Sequence, residues 1–128
     1  MKFLLDTHTW LWWNVDLKKL SGRVRELISD PANELLLSVV TPWELAIKMN
    51  AGKLDVRRLL ENFEARESAA GFTVLRPSAA QVIRSGLLPL HHKDPFDRLL
   101  AAQALDLDAT FLSRDAIFDL YGVKRIWN

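Results

Sequence analysis

The chain is expected to fold as an α/β sandwich with a central parallel sheet of about four to five strands flanked by helices. Apolar runs of strand length recur at residues 2–5, 35–40, 72–75 and 109–112. Capped or amphipathic stretches separate them, and acidic residues stand where strands hand over to helices. Alternating strands and helices return the chain to the same edge of a sheet, which calls for parallel strands. A chain of 128 residues suits one domain with its own core, so residues 1–128 are read as a single domain.

Lys2-Phe3-Leu4-Leu5 is short and apolar, the pattern of a buried strand, and Asp6-Thr7 ends it. Ser21 is an N-cap for a helix reaching Ile28, with Val24, Leu27 and Ile28 on one face and Asp30-Pro31 as its stop. Leu35 to Val40 forms the second strand. Thr41-Pro42-Trp43-Glu44 has N-cap, N1 proline and N3 glutamate in the order of a capping box, opening a helix that Gly52 closes. One further helix is expected from Val56 to Ala70, with Leu59, Leu60 and Phe63 inward and Gly71 as its stop.

Phe72 to Leu75 is the third strand, and Ser78 caps a helix ending near Gly86. After the loop at Pro89, Asp94-Pro95 starts a helix to Leu105. Its residues Phe96, Leu99, Leu100, Ala101, Ala102 and Ala104 are apolar on most sides, as in a helix pressed against a sheet. Ala109 to Leu112 is the fourth strand, Ala116 to Tyr121 a short helix and Val123 to Trp127 a last strand.

Hydrophobic residues make up 49% and charged residues 26%, the balance of a globular protein. Cysteine is absent, which removes disulfides, thiolate zinc sites and cysteine nucleophiles together and fits a cytoplasmic location. No apolar run approaches the roughly 18 residues of a membrane span, and no basic-then-apolar signal opens the chain. The net charge of +1 does not by itself mark a nucleic-acid binder. Gathering several acids in one site would leave the remaining surface more basic, so a polyanionic substrate stays open.

Asp6, Glu44, Asp94, Asp97 and Asp115 all fall at strand-to-helix junctions. Each has an ordinary reading as well: Glu44 in a capping box with Thr41, Asp94 and Asp97 capping the later helix, Asp6 and Asp115 in turns. The fold brings all five to the carboxyl edge of the sheet, where open parallel sheets place their ligands. Two carboxylates about 5 Å apart repel by roughly 3 kcal/mol at an effective dielectric of about 20, so such a cluster calls for a cation. All-oxygen ligands favour Mg²⁺, or Mn²⁺, over zinc. Carboxylate-held Mg²⁺ suits phosphodiester hydrolysis, and no glycine-rich phosphate loop of the Walker type is present.

Leu4-Leu5-Asp6-Thr7-His8, Thr41-Pro42-Trp43-Glu44-Leu45, His92-Lys93-Asp94-Pro95-Phe96-Asp97-Arg98-Leu99-Leu100-Ala101 and Leu112-Ser113-Arg114-Asp115 together resemble the PIN domain, specifically the VapC-type toxins of bacterial toxin–antitoxin pairs. The resemblance spans the whole chain, with the motifs in order, and it implies a PIN-like three-layer sandwich. It also implies a Mg²⁺-dependent endoribonuclease, the toxin of a type II pair, with Asp6, Glu44, Asp97 and Asp115 as its acidic residues. On that reading Asp6 and Asp97 are the first metal ligands and Glu44 orients or deprotonates the attacking water. Asp115 completes the shell, Asp94 is an additional carboxylate, and Thr7 and Ser113 supply hydroxyls at the rim. An RNA substrate, a cognate antitoxin and a homodimer are implied as partners.

Arg98 and Arg114 are the preferred phosphate contacts among the cations beside the acidic motifs, with Lys48 and Lys93 behind them. His8, His91 and His92 lack the spacing of a zinc site and are read as solvated or substrate-facing. Five tryptophans leave core packing and partner recognition both open; Trp10, Trp13 and Trp43 are the candidates for an antitoxin groove. Two rivals remain. A phosphatase of the haloacid-dehalogenase type would need a second aspartate where His8 stands, and a catalytically silent binding module would use the same edge for recognition alone.

Overall fold

The computed structural model describes residues 1–128. Five parallel strands, β1 (Lys2–Leu5), β2 (Glu34–Ser38), β3 (Phe72–Leu75), β4 (Thr110–Leu112) and β5 (Arg125–Ile126), form one sheet in the order β3-β2-β1-β4-β5. The helices are α1 (Thr7–Val15), α2 (Gly22–Ser29), α3 (Val40–Asn50), α4 (Arg57–Leu60), α5 (Phe63–Ala69), α6 (Ala79–Leu87) and α7 (Pro95–Asp106), with 3₁₀ turns at Leu17–Lys19 and Ala116–Tyr121.

The strand side chains alternate between two cores, as the period of two demands. Phe3, Leu5, Leu35, Leu37 and Leu112 join Trp10, Val24, Ile28, Leu45 and Phe63 on one face. Leu4, Leu36 and Phe111 join Leu99, Leu100, Ala101 and Ala104 of α7 and Phe118 on the other. The result is the expected three-layer sandwich. Because β1 is central, its carboxyl end carries Asp6 into the middle of the sheet edge.

Four boundaries differ from the sequence expectations. Residues 7–15, given no element, form α1: Asp6 is its N-cap, accepting from the Thr7 N–H, and Thr9 Oγ1 donates to the Leu112 carbonyl at 2.8 Å, tying α1 to β4. β2 stops at Ser38 and α3 begins at Val40, so Thr41 lies inside the helix and no capping box forms there. The Ser38 hydroxyl, accepting from the Val40 N–H, supplies that turn instead. The helix expected over 56–70 breaks at Glu61-Asn62, where Asn62 takes a left-handed conformation (φ 51°) that asparagine tolerates better than most residues. β4 and β5 are each shorter than the strands expected at 109–112 and 123–127. Ser78 caps α6 as expected, in a capping box that Gln81 completes, and the Asp94 cap of α7 also forms.

Candidate metal centre

Three helical starts converge at the carboxyl edge. Asp6 caps α1, Asp94 caps α7, and Asp115 caps the last 3₁₀ turn, each through its own side chain. A cap at a helix start puts a carboxylate against the positive end of the helix dipole. Asp97 lies in the first turn of α7, and Glu44 projects from the second turn of α3.

Glu44, Asp94 and Asp97 each present a carboxylate oxygen within 4.8 Å of the others. Glu44 is 2% exposed. Its Oε2 accepts from Lys48 Nζ at 2.8 Å, while its Oε1 is buried with no hydrogen-bond partner. Leaving a buried carboxylate oxygen unpaired is expensive, so this atom needs a partner from outside the chain. Asp94 spends Oδ1 on the N–H groups of Phe96 and Asp97. Capping and membership of the cluster are therefore compatible in one residue.

Asp6 is buried, with Oδ1 accepting from the Thr7 N–H at 2.8 Å and Oδ2 from the Ser113 hydroxyl at 2.7 Å. Burial raises its pKa despite these bonds. For Asp97 burial, then the charges of Asp6, Asp94 and Glu44, raise the pKa to about 8, with Lys48 opposing. Burial and the neighbouring carboxylates thus both disfavour the charged form of Asp97, and Lys48 offsets them only in part. An all-oxygen donor set, an orphaned acceptor and excess negative charge fit a hard divalent cation, and Glu44, Asp94 and Asp97 are the residues that would hold it, with Asp6 beside them.

Asp115 is joined to this group through His92, expected to be solvated or substrate-facing. His92 Nε2 lies 3.0 Å from Asp97 Oδ2 and 3.5 Å from Asp115 Oδ2, while its Nδ1 accepts the Asp94 N–H at 3.1 Å. With Nδ1 an acceptor, the neutral imidazole carries its proton on Nε2, facing both carboxylates. Tyr121 holds the loop, its hydroxyl accepting from the His92 N–H and donating to the Pro89 carbonyl. His92 is thus neither solvated nor simply substrate-facing. The signal available in sequence was its position two residues before the Asp94 cap.

Other expectations need correction. Thr7 and Ser113 are almost wholly buried: the Thr7 hydroxyl pairs with Thr41 at 3.2 Å, and Ser113 holds Asp6 and accepts the Asp115 N–H. Both brace the acidic site and neither stands at its rim. Arg98 donates to the carbonyls of Gly86 and Leu88, tying α7 to the end of α6, so its guanidinium is turned from the cluster. Arg114 does line the acidic cleft of about 290 Å³, with Asp6, His8, Trp12 and Asp115.

The three tryptophans named for a partner groove part company. Trp10 is fully buried and donates through Nε1 to Glu67, and Trp13 packs on the first core. Trp43 is exposed, its ring edge-on to Phe96 at 4.6 Å. Beside it Ile47, Lys53, Lys93 and Phe96 line a cleft of about 390 Å³ that reaches Glu44 and Asp94.

The family model for the PIN domain matches residues 3–124. No curated protein matches the sequence. Among solved structures, VapBC2 from Rickettsia felis bound to a DNA fragment from its promoter is similar at 15% identity and a TM-score of 0.71, over 100% of both chains. VapBC-1 from nontypeable Haemophilus influenzae gives 21% identity and 0.66, over 98% of this chain and 97% of that one. FitAcB from Neisseria gonorrhoeae gives 20% and 0.58, over 98% and 96%.

Proposed function

The chain belongs to the PIN-domain family, and from that premise we propose that it is a Mg²⁺-dependent endoribonuclease acting as the toxin of a type II toxin–antitoxin pair. The observation that carries this reading is the convergence of Glu44, Asp94 and Asp97 within 4.8 Å around an unpaired Glu44 oxygen. A divalent cation bound there would acidify water and steady charge on a phosphodiester.

The protein's own groups supply the rest. Lys48 fixes Glu44 by one oxygen, leaving Oε1 to hold the cation and orient the attacking water, whose proton would pass to solvent as its oxygen bonds to phosphorus. The ester P–O bond opposite breaks, and the departing oxygen takes a proton from solvent. Ser113 and the Thr7 N–H hold Asp6 in place, while His92 keeps Asp97 and Asp115 in register. Arg114, exposed at the mouth of the cleft, is the phosphate contact.

An antitoxin segment would dock at the cleft of Ile47, Lys93 and Phe96 beside Trp43, which reaches Glu44 and Asp94. The named complexes among the structural neighbours support a protein partner of this kind. For a homodimer, Val82, Ile83, Leu87 and Leu90 offer exposed apolar side chains on α6 and the loop after it. No helix is long and apolar enough to cross a membrane, and the site of action would be cytoplasmic RNA.

The test is cleavage of single-stranded RNA by the purified protein. Mg²⁺ should support it, EDTA abolish it, and Glu44→Gln lower kcat by about 10²–10⁴. Cleavage that persists in EDTA or in Glu44→Gln sinks the reading.

A further inference from the structure

A groove of about 820 Å³, larger than either acidic cleft, lies beside the carboxylate site and contains no acidic side chain. Lys18, Lys19, Arg23, Arg114 and Arg125 line it, with Trp127. Arg125 is spent on Asp119 and on the Ser113 carbonyl. Lys18, Lys19, Arg23 and Arg114 pair with no acidic side chain. Arg23 does donate to the main-chain oxygen of Asn128. Lys18, Lys19 and Arg23, joined by Arg114 where the groove meets the acidic cleft, form a local field that attracts a polyanion in a chain of net charge +1.

Arg114 lines this groove and the acidic cleft alike. Between them runs a row of rings: His8 to Trp12 at 5.6 Å, and Trp12 to Trp127 at 6.0 Å, with Lys19 Nζ 5.9 Å from the Trp12 centroid. Trp12 and Trp127 are half-buried and rest on the core, so each is a rigid ring with part of its surface left to solvent. Cations that neutralise phosphates, interleaved with aromatic faces on which unpaired bases stack, make a platform for single-stranded nucleic acid. A duplex hides its base faces and could use only the charges.

We propose that the Lys18, Lys19, Arg23 and Arg114 groove, with Trp12 and Trp127, binds the unpaired RNA strand flanking the scissile phosphate and feeds it past His8 to the carboxylates. The inference rests on the nuclease reading for the identity of the polyanion. It gives the enzyme a single-strand preference, set by residues that share none of the lining of the cleft beside Trp43.

The experiment is anisotropy titration of a labelled ten-nucleotide RNA in EDTA, where no strand is cut, across a salt series. Lys18→Gln with Lys19→Gln should weaken binding roughly tenfold and reduce the log–log salt slope by about 1.4. Arg76→Gln with Arg84→Gln, which removes the same charge outside the clefts, should do neither. Trp127→Leu should weaken single-strand binding roughly tenfold and Trp127→Phe much less, with duplex binding unmoved by either. Equal effects of the two charge-removing pairs would overturn the proposal, even with Mg²⁺-dependent cleavage intact. Tighter binding of an acidic ten-residue peptide than of the RNA would overturn it as well, assigning the groove to a protein. Groove-dependent RNA binding without cleavage in Mg²⁺ would uphold the groove and remove the nuclease reading.

Discussion

Asp97 carries the clearest consequence of crowding carboxylates. Its pKa, ordinarily 3.8, rises to about 8 through burial and the charges of Asp6, Asp94 and Glu44. The unfolded chain therefore ionises at this position near pH 4 while the folded chain keeps the proton, so the folded state binds more protons between those values. The stability Asp97 contributes is full below about pH 4 and is lost as pH rises towards 8. In EDTA, Tm should fall across that window, and Asp97→Asn should flatten the fall. Saturating Mg²⁺ should raise Tm most at the alkaline end, because the cation selects the carboxylate. Thermal melts at half-unit pH steps, with and without Mg²⁺, measure this; a Tm profile unchanged by Asp97→Asn would contradict it.

The helices and strands show where local sequence signals sufficed and where tertiary contacts overrode them. The capping boxes illustrate both. Ser78-Ala79-Ala80-Gln81 forms one, whereas Thr41-Pro42-Trp43-Glu44 has the same spacing and forms none, since the chain turns at Ser38 and Glu44 is drawn into the site. Carboxylates at strand ends were legible because parallel strands deliver their carboxyl ends to one edge. The role of His92 was not, because it depends on the loop from Pro89 closing on Tyr121. α1 was missed for a related reason. Its residues Thr7, Thr9 and Trp10 are buried through polar contacts to Thr41, the Leu112 carbonyl and Glu67, so no clean apolar stripe marks it. Trp10→Phe should thus cost about 1–3 kcal/mol by leaving the buried Oε1 of Glu67 without its donor, Arg66 reaching only Oε2. Adding Glu67→Met should recover much of that loss in urea denaturation; no recovery would place the cost in ring packing instead.

Across the whole molecule, the proposed functions fall to neighbouring surfaces around the carboxyl edge of the sheet. The carboxylates lie at the carboxyl ends of β1 and β4 and at the starts of α3 and α7. The cleft beside Trp43 is lined from α3 and the start of α7, and the basic groove is lined from β5 and the turn at Leu17–Lys19. Only the first of these clefts contains Glu44 and Asp94, so an antitoxin docked there would inhibit by occupying or displacing the metal site. That account depends on where the cation sits. Soaking crystals with Mn²⁺ and collecting anomalous diffraction tests it most directly. The account predicts a peak bonded to carboxylate oxygens of Glu44 and Asp97, lost in Glu44→Gln together with RNA cleavage. A strong peak elsewhere, or none in a crystal form whose protein cleaves RNA in the same Mn²⁺ concentration, would contradict it.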